Sequence, residues 1–270
     1  MSDAITFLIA PAVLTILLVG IHAYLGLHVL ERGVVFVDIG LSQVASLGAT
    51  VSLFFVEEEG GWISMSLSIF FCVMTAIALA LLRKFERKIS QEVLVGLTYA
   101  LASGLLILVA DKLPHGTEHL KHAMVGNLLF VTWPQIFQTA AVYGVVGLIH
   151  GIYHRQFWAS SRGHQGGFLW DFLFYVLFGI VITFSTHHAG VLVVFSILVA
   201  PAALAIRFFK RTKVQLLSAW TMGSVAVILG FTASYFWDWP TGAGIVAVVT
   251  AGFFAVLGAT HLLELFSARA

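Results

Sequence analysis

HVLERGVVFVDIGLSQVASLG, residues 28–48, places a carboxylic acid, Asp38, and an amide, Gln43, in a run apolar enough to enter a membrane, as a helix from about Val34 to Val56. A carboxyl group at mid-bilayer costs about 3 kcal/mol even on the lenient insertion scale, so it marks a functional position or a buried pair. With successive residues about 100° apart around a helix, Asp38, Ser42, Ala45, Ser46 and Ala49 share one sector, and Val37, Leu41, Val44, Leu47 and Val51 the opposite one. The first sector suits a crevice, the second lipid or apolar packing. A structural reading stays open, in which Asp38 meets a backbone donor or an Arg from another helix.

The rest of the chain has the composition of an integral membrane protein. Of its 270 residues 60% are hydrophobic and only 10% charged, and the mean hydropathy is +0.99. A net charge of +1, with no basic stripe interleaved with aromatics, gives no footprint for nucleic acid. The single cysteine, Cys72, excludes an internal disulfide and a Cys-based zinc site. The N-terminus lacks the basic region and cleavage pattern of a removable signal peptide, so its first apolar run is expected to stay as a helix. Apolar runs with short connections fill residues 1–270 as one domain, and no G-x-x-x-x-G-K-[ST] occurs, so nucleotide chemistry would have to come from a partner.

At about 20 residues per crossing, nine spans are expected: Ile5 to Tyr24, Val34 to Val56, Trp62 to Leu82, Val93 to Ala110, Pro134 to Tyr153, Phe168 to Ser185, Val191 to Phe208, Val214 to Trp237 and Gly242 to Leu263. Several are short or interrupted by glycine, which leaves a range of eight to ten. If the connection after the first span is cytoplasmic, twelve of the fourteen Lys and Arg lie inside and only Lys112 and Lys121 outside. The N-terminus is therefore expected outside and the C-terminus in the cytoplasm.

Outside, DKLPHGTEHLKH (111–122) brings His115, Glu118, His119 and His122 to helical spacings that can bind a divalent metal. Its lysines and the turn signal Pro114-His115-Gly116 favour a solvated amphipathic segment. His187-His188 diverge as neighbours on a helix and lack a third ligand. Glu57 to Glu59 would raise local cation concentration or simply form a solvated run. Inside, Ser90 and Glu92 read as a helix cap and first-turn acid. HRQFWASSRGHQGG (154–167) sets Phe157 and Trp158 in a small, polar loop that suits a short helix ended by Gly163, with its aromatics free to dock on lipid or a protein groove. Pro201 in mid-span predicts a kink or break, tolerated only where protein or a water-filled cavity covers it. Asp238, Pro240 and two glycines predict a tight outer turn. Pro201 and Pro240 are the candidate hinge or gate positions.

Five segments in register resemble the membrane subunit of the ABC importer family for manganese, zinc or iron(II): Leu27 to Gly48, Ile89 to Leu108, His119 to Ile136 with its Gly-Asn pair, Gly190 to Ala205 ending in Pro-Ala-x-x-Ala, and Trp239 to Val249. The resemblance implies a type II importer-like bundle in the bacterial inner membrane. It implies a homodimer with the path between its copies, two cytoplasmic ATPase subunits that bind the ATP, and an external metal-binding solute-binding protein. It also implies that the loop from Gln156 through Phe157, Trp158 and Arg162 to Gly163 is the coupling helix seated in an ATPase groove. No catalytic residue or resident cofactor is expected; the metal ion is cargo.

This chain departs from the family where the family pairs its Asp with a His four residues on. Ser42 stands four residues after Asp38, and Gln43 takes the place of the His, about 140° around the helix. Asp38, Ser42 and Gln43 form an oxygen-rich set that favours manganese or magnesium-like ions over zinc. His22 and His28 are the nearest replacement imidazoles, with His22 either facing Asp38 or making a helix-helix hydrogen bond. Two other function classes compete. An ATP-independent carrier or channel predicts a repeat between halves, and Pro201 has no counterpart in the first half. A membrane enzyme of the zincin type needs H-E-x-x-H, which does not occur.

Overall fold

The structure, a computed structural model, describes residues 2–56, 61–85, 88–163 and 167–267. Among these the regular structure is helical: α1 Ser2–Arg32, α2 Val37–Ser52, α3 Trp62–Phe85, α4 Gln91–Ala110, α5 Gly116–Val125, a 3-10 turn Leu128–Phe130, α6 Trp133–Ile152, α7 His154–Ser161, α8 Gly167–Ala189, α9 Val191–Phe208, α10 Thr212–Trp237 and α11 Thr241–Ser267. Eight helices, α1, α3, α4, α6 and α8 to α11, are long and apolar enough to cross a membrane. The acidic run Glu57 to Glu59 lies outside the described residues.

The layers follow from where the apolar surface goes. α4, α10 and α11 leave Leu97, Leu101, Leu108, Leu229, Phe236, Phe254 and Leu263 largely exposed, a surface stable only against hydrocarbon or another chain. α1, α8 and α9 form the core around Leu18, Leu25, Phe174, Phe178, Ile182, Ile197 and Leu198, all essentially without exposed surface.

α2 is the exception to span length. Sixteen residues rise about 24 Å, less than the hydrocarbon thickness. Tight turns end it, with Leu53 N–H donating to Thr50 O and Phe54 N–H to Val51 O. α3, α4, α8 and α9 surround it, so a short helix here need not match the bilayer. Of the two alternatives for the apolar sector, lipid or apolar packing, the second holds, because Val37, Leu41, Val44 and Leu47 are buried like the polar side.

At Pro201 the alternative of a break is corrected: α9 runs unbroken from Val191 to Phe208, and it sits covered by protein as expected, its core position between α1 and α10 holding it through the missing N–H. Pro240 opens α11, its carbonyl accepting from Gly244 N–H, after Asp238 in the left-handed region at φ 53°.

Three of the segments singled out in the sequence meet at one crossing. Gly126 and Gly190 both have left-handed backbones, φ 72° and 78°, and each packs so closely on the other's chain that a Cβ on either would collide with backbone atoms of Ala189, Gly190, Val125 or Gly126. Asn127 N–H donates to His188 O across this crossing, and Gly242 at the start of α11 lies against Val125 O.

Candidate functional site

The α2 stripe begins with Asp38 in the helix's first turn, where unpaired backbone amides and the dipole favour negative charge. Phe36, the cap residue, brings no capping side chain; its own N–H donates to Glu92 Oε1 of α4 at 3.4 Å. Asp38 and Ser42 have no exposed surface, and both Asp38 carboxyl oxygens and Ser42 Oγ lack a hydrogen-bond partner. An unpartnered buried polar group costs about 1–3 kcal/mol, so three in one stripe mark a position kept for something other than stability.

The same stripe runs into a cavity of about 320 Å³ walled by α2, α3, α5, α6 and α8. Ala45, Ser46, Ala49 and Thr50 are its α2 wall; Ser64, Ser68, Asn127, Gln135, Thr183 and Thr186 add oxygen donors. His119, His187 and His188 bring three imidazoles from two distant segments. None of the described lining residues is Asp, Glu, Lys or Arg, and no three His, Cys, Asp or Glu among the described residues stand close enough to hold a metal. Asp38 lies about 12 Å along the helix axis from Ser46, below the cavity and within the bundle. The arrangement is a neutral polar vestibule leading toward one buried carboxyl group.

The other expected ligands make no hydrogen bond to Asp38. Gln43 is buried on the flank of α2 that Gly40 presents to Val95 of α4. His22 donates from Nδ1 to Leu18 O at 2.8 Å, meets Tyr143 edge-on at 6.3 Å, and makes no hydrogen bond to Asp38; its Nε2 is unpartnered. In the outer segment His119 enters the cavity and His115 is exposed beside Glu118 at 3.7 Å, while the side chain of His122 lies outside the described ones.

The expected coupling segment is α7, ended as predicted by Gly163 at φ 73°. Its aromatics pack on the bundle, Phe157 wholly and Trp158 in part. Phe157 has no exposed surface and stacks on His150 of α6 at 3.9 Å; Trp158 lies over His28 of α1 at 4.1 Å. Apolar rings at a helix-bundle end gain more from burial under α1, α6 and α8 than from solvent. The outward face is His154, Arg155, Gln156 and Arg162. Sequence reasoning missed Asp171, which pairs with Arg32 at 2.8 Å beneath α7. An acid in the apolar run GFLWDFLF carries the same signal that singles out Asp38.

The family model described as the ABC 3 transport family matches residues 4–259. The chain belongs to that family. Curated relatives of this ABC 3 member include the manganese transport system membrane protein MntC of Listeria innocua, 24% identical over 257 residues, covering 90% of this chain and 87% of the relative. The manganese import system permease protein ScaB of Streptococcus gordonii is also 24% identical, over 87% of this chain and 85% of its own. A probable iron transport system membrane protein of Haemophilus influenzae is 21% identical, over 90% of this chain and 86% of its own. Among solved structures, PsaBC from Streptococcus pneumoniae in complex with Fab has the same fold at a TM-score of 0.76, with 21% identity over 92% of this chain and 90% of that one. An inward-facing putative metal-chelate type ABC transporter superposes at 0.71 with 18% identity, over 93% of this chain and 85% of that one.

Proposed function

We propose that the chain is the membrane subunit of an ATP-driven importer for a divalent transition metal ion in the bacterial inner membrane. The observation that carries the reading is Asp38, a buried carboxyl group without a partner, below a neutral polar cavity. A divalent ion gains from the negative charge of Asp38 on such a route, and a single carboxylate beside the Ser42 hydroxyl releases it again, as conduction requires. Oxygen donors at Asp38 and Ser42 favour manganese over zinc, in keeping with the names of the relatives.

The cavity lies at the outer face, where a solute-binding protein delivers the ion, and the N-terminus is outside. A cavity of about 320 Å³ has room for an ion with a shell of about six waters at roughly 30 Å³ each, and is at the small end for organic ligands; this favours a hydrated ion over a chelate. Two copies pair through exposed apolar helices, the remainder meeting lipid. α7 offers His154, Arg155, Gln156 and Arg162 to cytoplasmic ATPase subunits, which hydrolyse the ATP.

The test is manganese uptake by proteoliposomes holding the chain with its ATPase and solute-binding partners. Asp38→Asn is expected to abolish uptake without lowering membrane abundance; wild-type uptake in that variant would remove Asp38 from the path. ATP-independent uptake by the chain alone would point instead to a carrier or channel.

A further inference from the structure

The basic end of the bundle carries an inference that rests on α7 as the ATPase docking helix. Arg32, the last residue of α1, has a side chain with no exposed surface and pairs with Asp171 Oδ1 of α8 at 2.8 Å. Its guanidinium also donates from Nε to Ser161 Oγ at 3.0 Å and from a terminal nitrogen to Ser160 Oγ at 3.0 Å. Ser160 Oγ donates to the same Asp171 oxygen, and Ser161 Oγ shares a 2.7 Å hydrogen bond with His28 Nδ1. One planar fork therefore joins α1, α7 and α8, and Phe174 lies 4.0 Å beneath it.

The chain beyond Arg32 is short and hydrogen-bonded. Gly33 N–H donates to Leu30 O, Val34 N–H to Val29 O and Val37 N–H to Val34 O, a left-handed glycine cap followed by a turn. α2 starts at Val37, with Asp38 in its first turn. Displacement of α7 thus has a stiff route through Arg32 and residues 33–36 to the helix that bears the unpartnered carboxyl. The stacks of Phe157 on His150 and Trp158 on His28 already hold α7 in place, and a buried ion pair gives back much of its attraction as lost hydration. Its place at a three-helix junction suits transmission better than adhesion.

We propose that Arg32, Asp171, Ser160 and Ser161 are positioning residues that transmit movement of α7, driven by the ATPase, to α1 and to the first turn of α2. The test measures ions transported per ATP hydrolysed, for the complete complex in proteoliposomes. Arg32→Gln and Asp171→Asn are expected to keep the ATPase subunit bound and hydrolysing while the ratio falls about tenfold, the upper range for residues within a coupling network. The double variant Ser160→Ala with Ser161→Ala keeps the ion pair and decides the matter if the charge variants fail to fold; its expected fall is about threefold. An unchanged ratio in whichever variants fold overturns the linkage alone. Loss of ATPase binding in step with transport reduces the cluster to a structural support and also overturns it. If the ATPase fails to bind the wild-type chain, the docking role of α7 fails, and the linkage with it.

Discussion

Asp38 combines two properties that seldom coexist: complete burial and no hydrogen-bond partner. Because no native bond is lost, Asp38→Asn is expected to leave the melting temperature of the purified protein undiminished while uptake disappears, a separation that thermal unfolding and transport assays read together. A fall of several degrees would show that the carboxyl group supports the fold. This residue was legible in the sequence because charge in an apolar run is expensive wherever it points. Its relation to Gln43 and His22 was not, since a helical wheel gives angles on one helix and says nothing of which neighbour fills each side. On α7, Phe157 and Trp158 were legible as aromatics with something to dock on; that the partner is the bundle itself needed the rings of His150 and His28 in place.

At the scale of elements, the crossing of residues 125–127 over the α8–α9 turn fixes the cavity rim, since Asn127 and His188 both line the cavity. Gly126→Ala adds a methyl group that collides with backbone at Ala189 and Gly190, on top of a left-handed φ of 72°. Gly163→Ala has a similar φ, 73°, and nothing within 4 Å. The second change is expected to cost about 1–2 kcal/mol, the left-handed penalty alone. The first costs several times that and leaves little folded protein in detergent, as fluorescence-detected size exclusion would show. α7 gives another contrast: Arg155→Glu changes an exposed residue and is expected to weaken copurification of the ATPase subunit about tenfold, the scale of one reversed contact at a charged interface. Unchanged copurification would place the docking surface elsewhere. The α7 terminus at Gly163 and the Ser90 cap of α4 followed from local sequence, because caps are settled within one turn; Ser90 Oγ accepts from Val93 N–H as its position demands.

For the whole molecule, sidedness is the property most open to direct measurement. Cys72 is buried, so cysteines introduced at exposed positions report with little background. Glu118→Cys is expected to react with a membrane-impermeant maleimide in intact cells, and Arg155→Cys only after permeabilisation. The reverse pattern would invert the orientation and put the cavity on the cytoplasmic face. The sequence by itself determined the class of architecture, the approximate spans and the family, because the bilayer imposes length and apolarity on every crossing, and recurrent glycine and proline motifs are fixed by backbone geometry. Only the tertiary structure decided that α2 is a short helix enclosed by others, that α9 passes unbroken through Pro201, and that Arg32 and Asp171 close a junction under α7. Each depends on contacts between segments remote along the chain, and the same local pattern is compatible with lipid, solvent or protein on its far side until those segments are brought together.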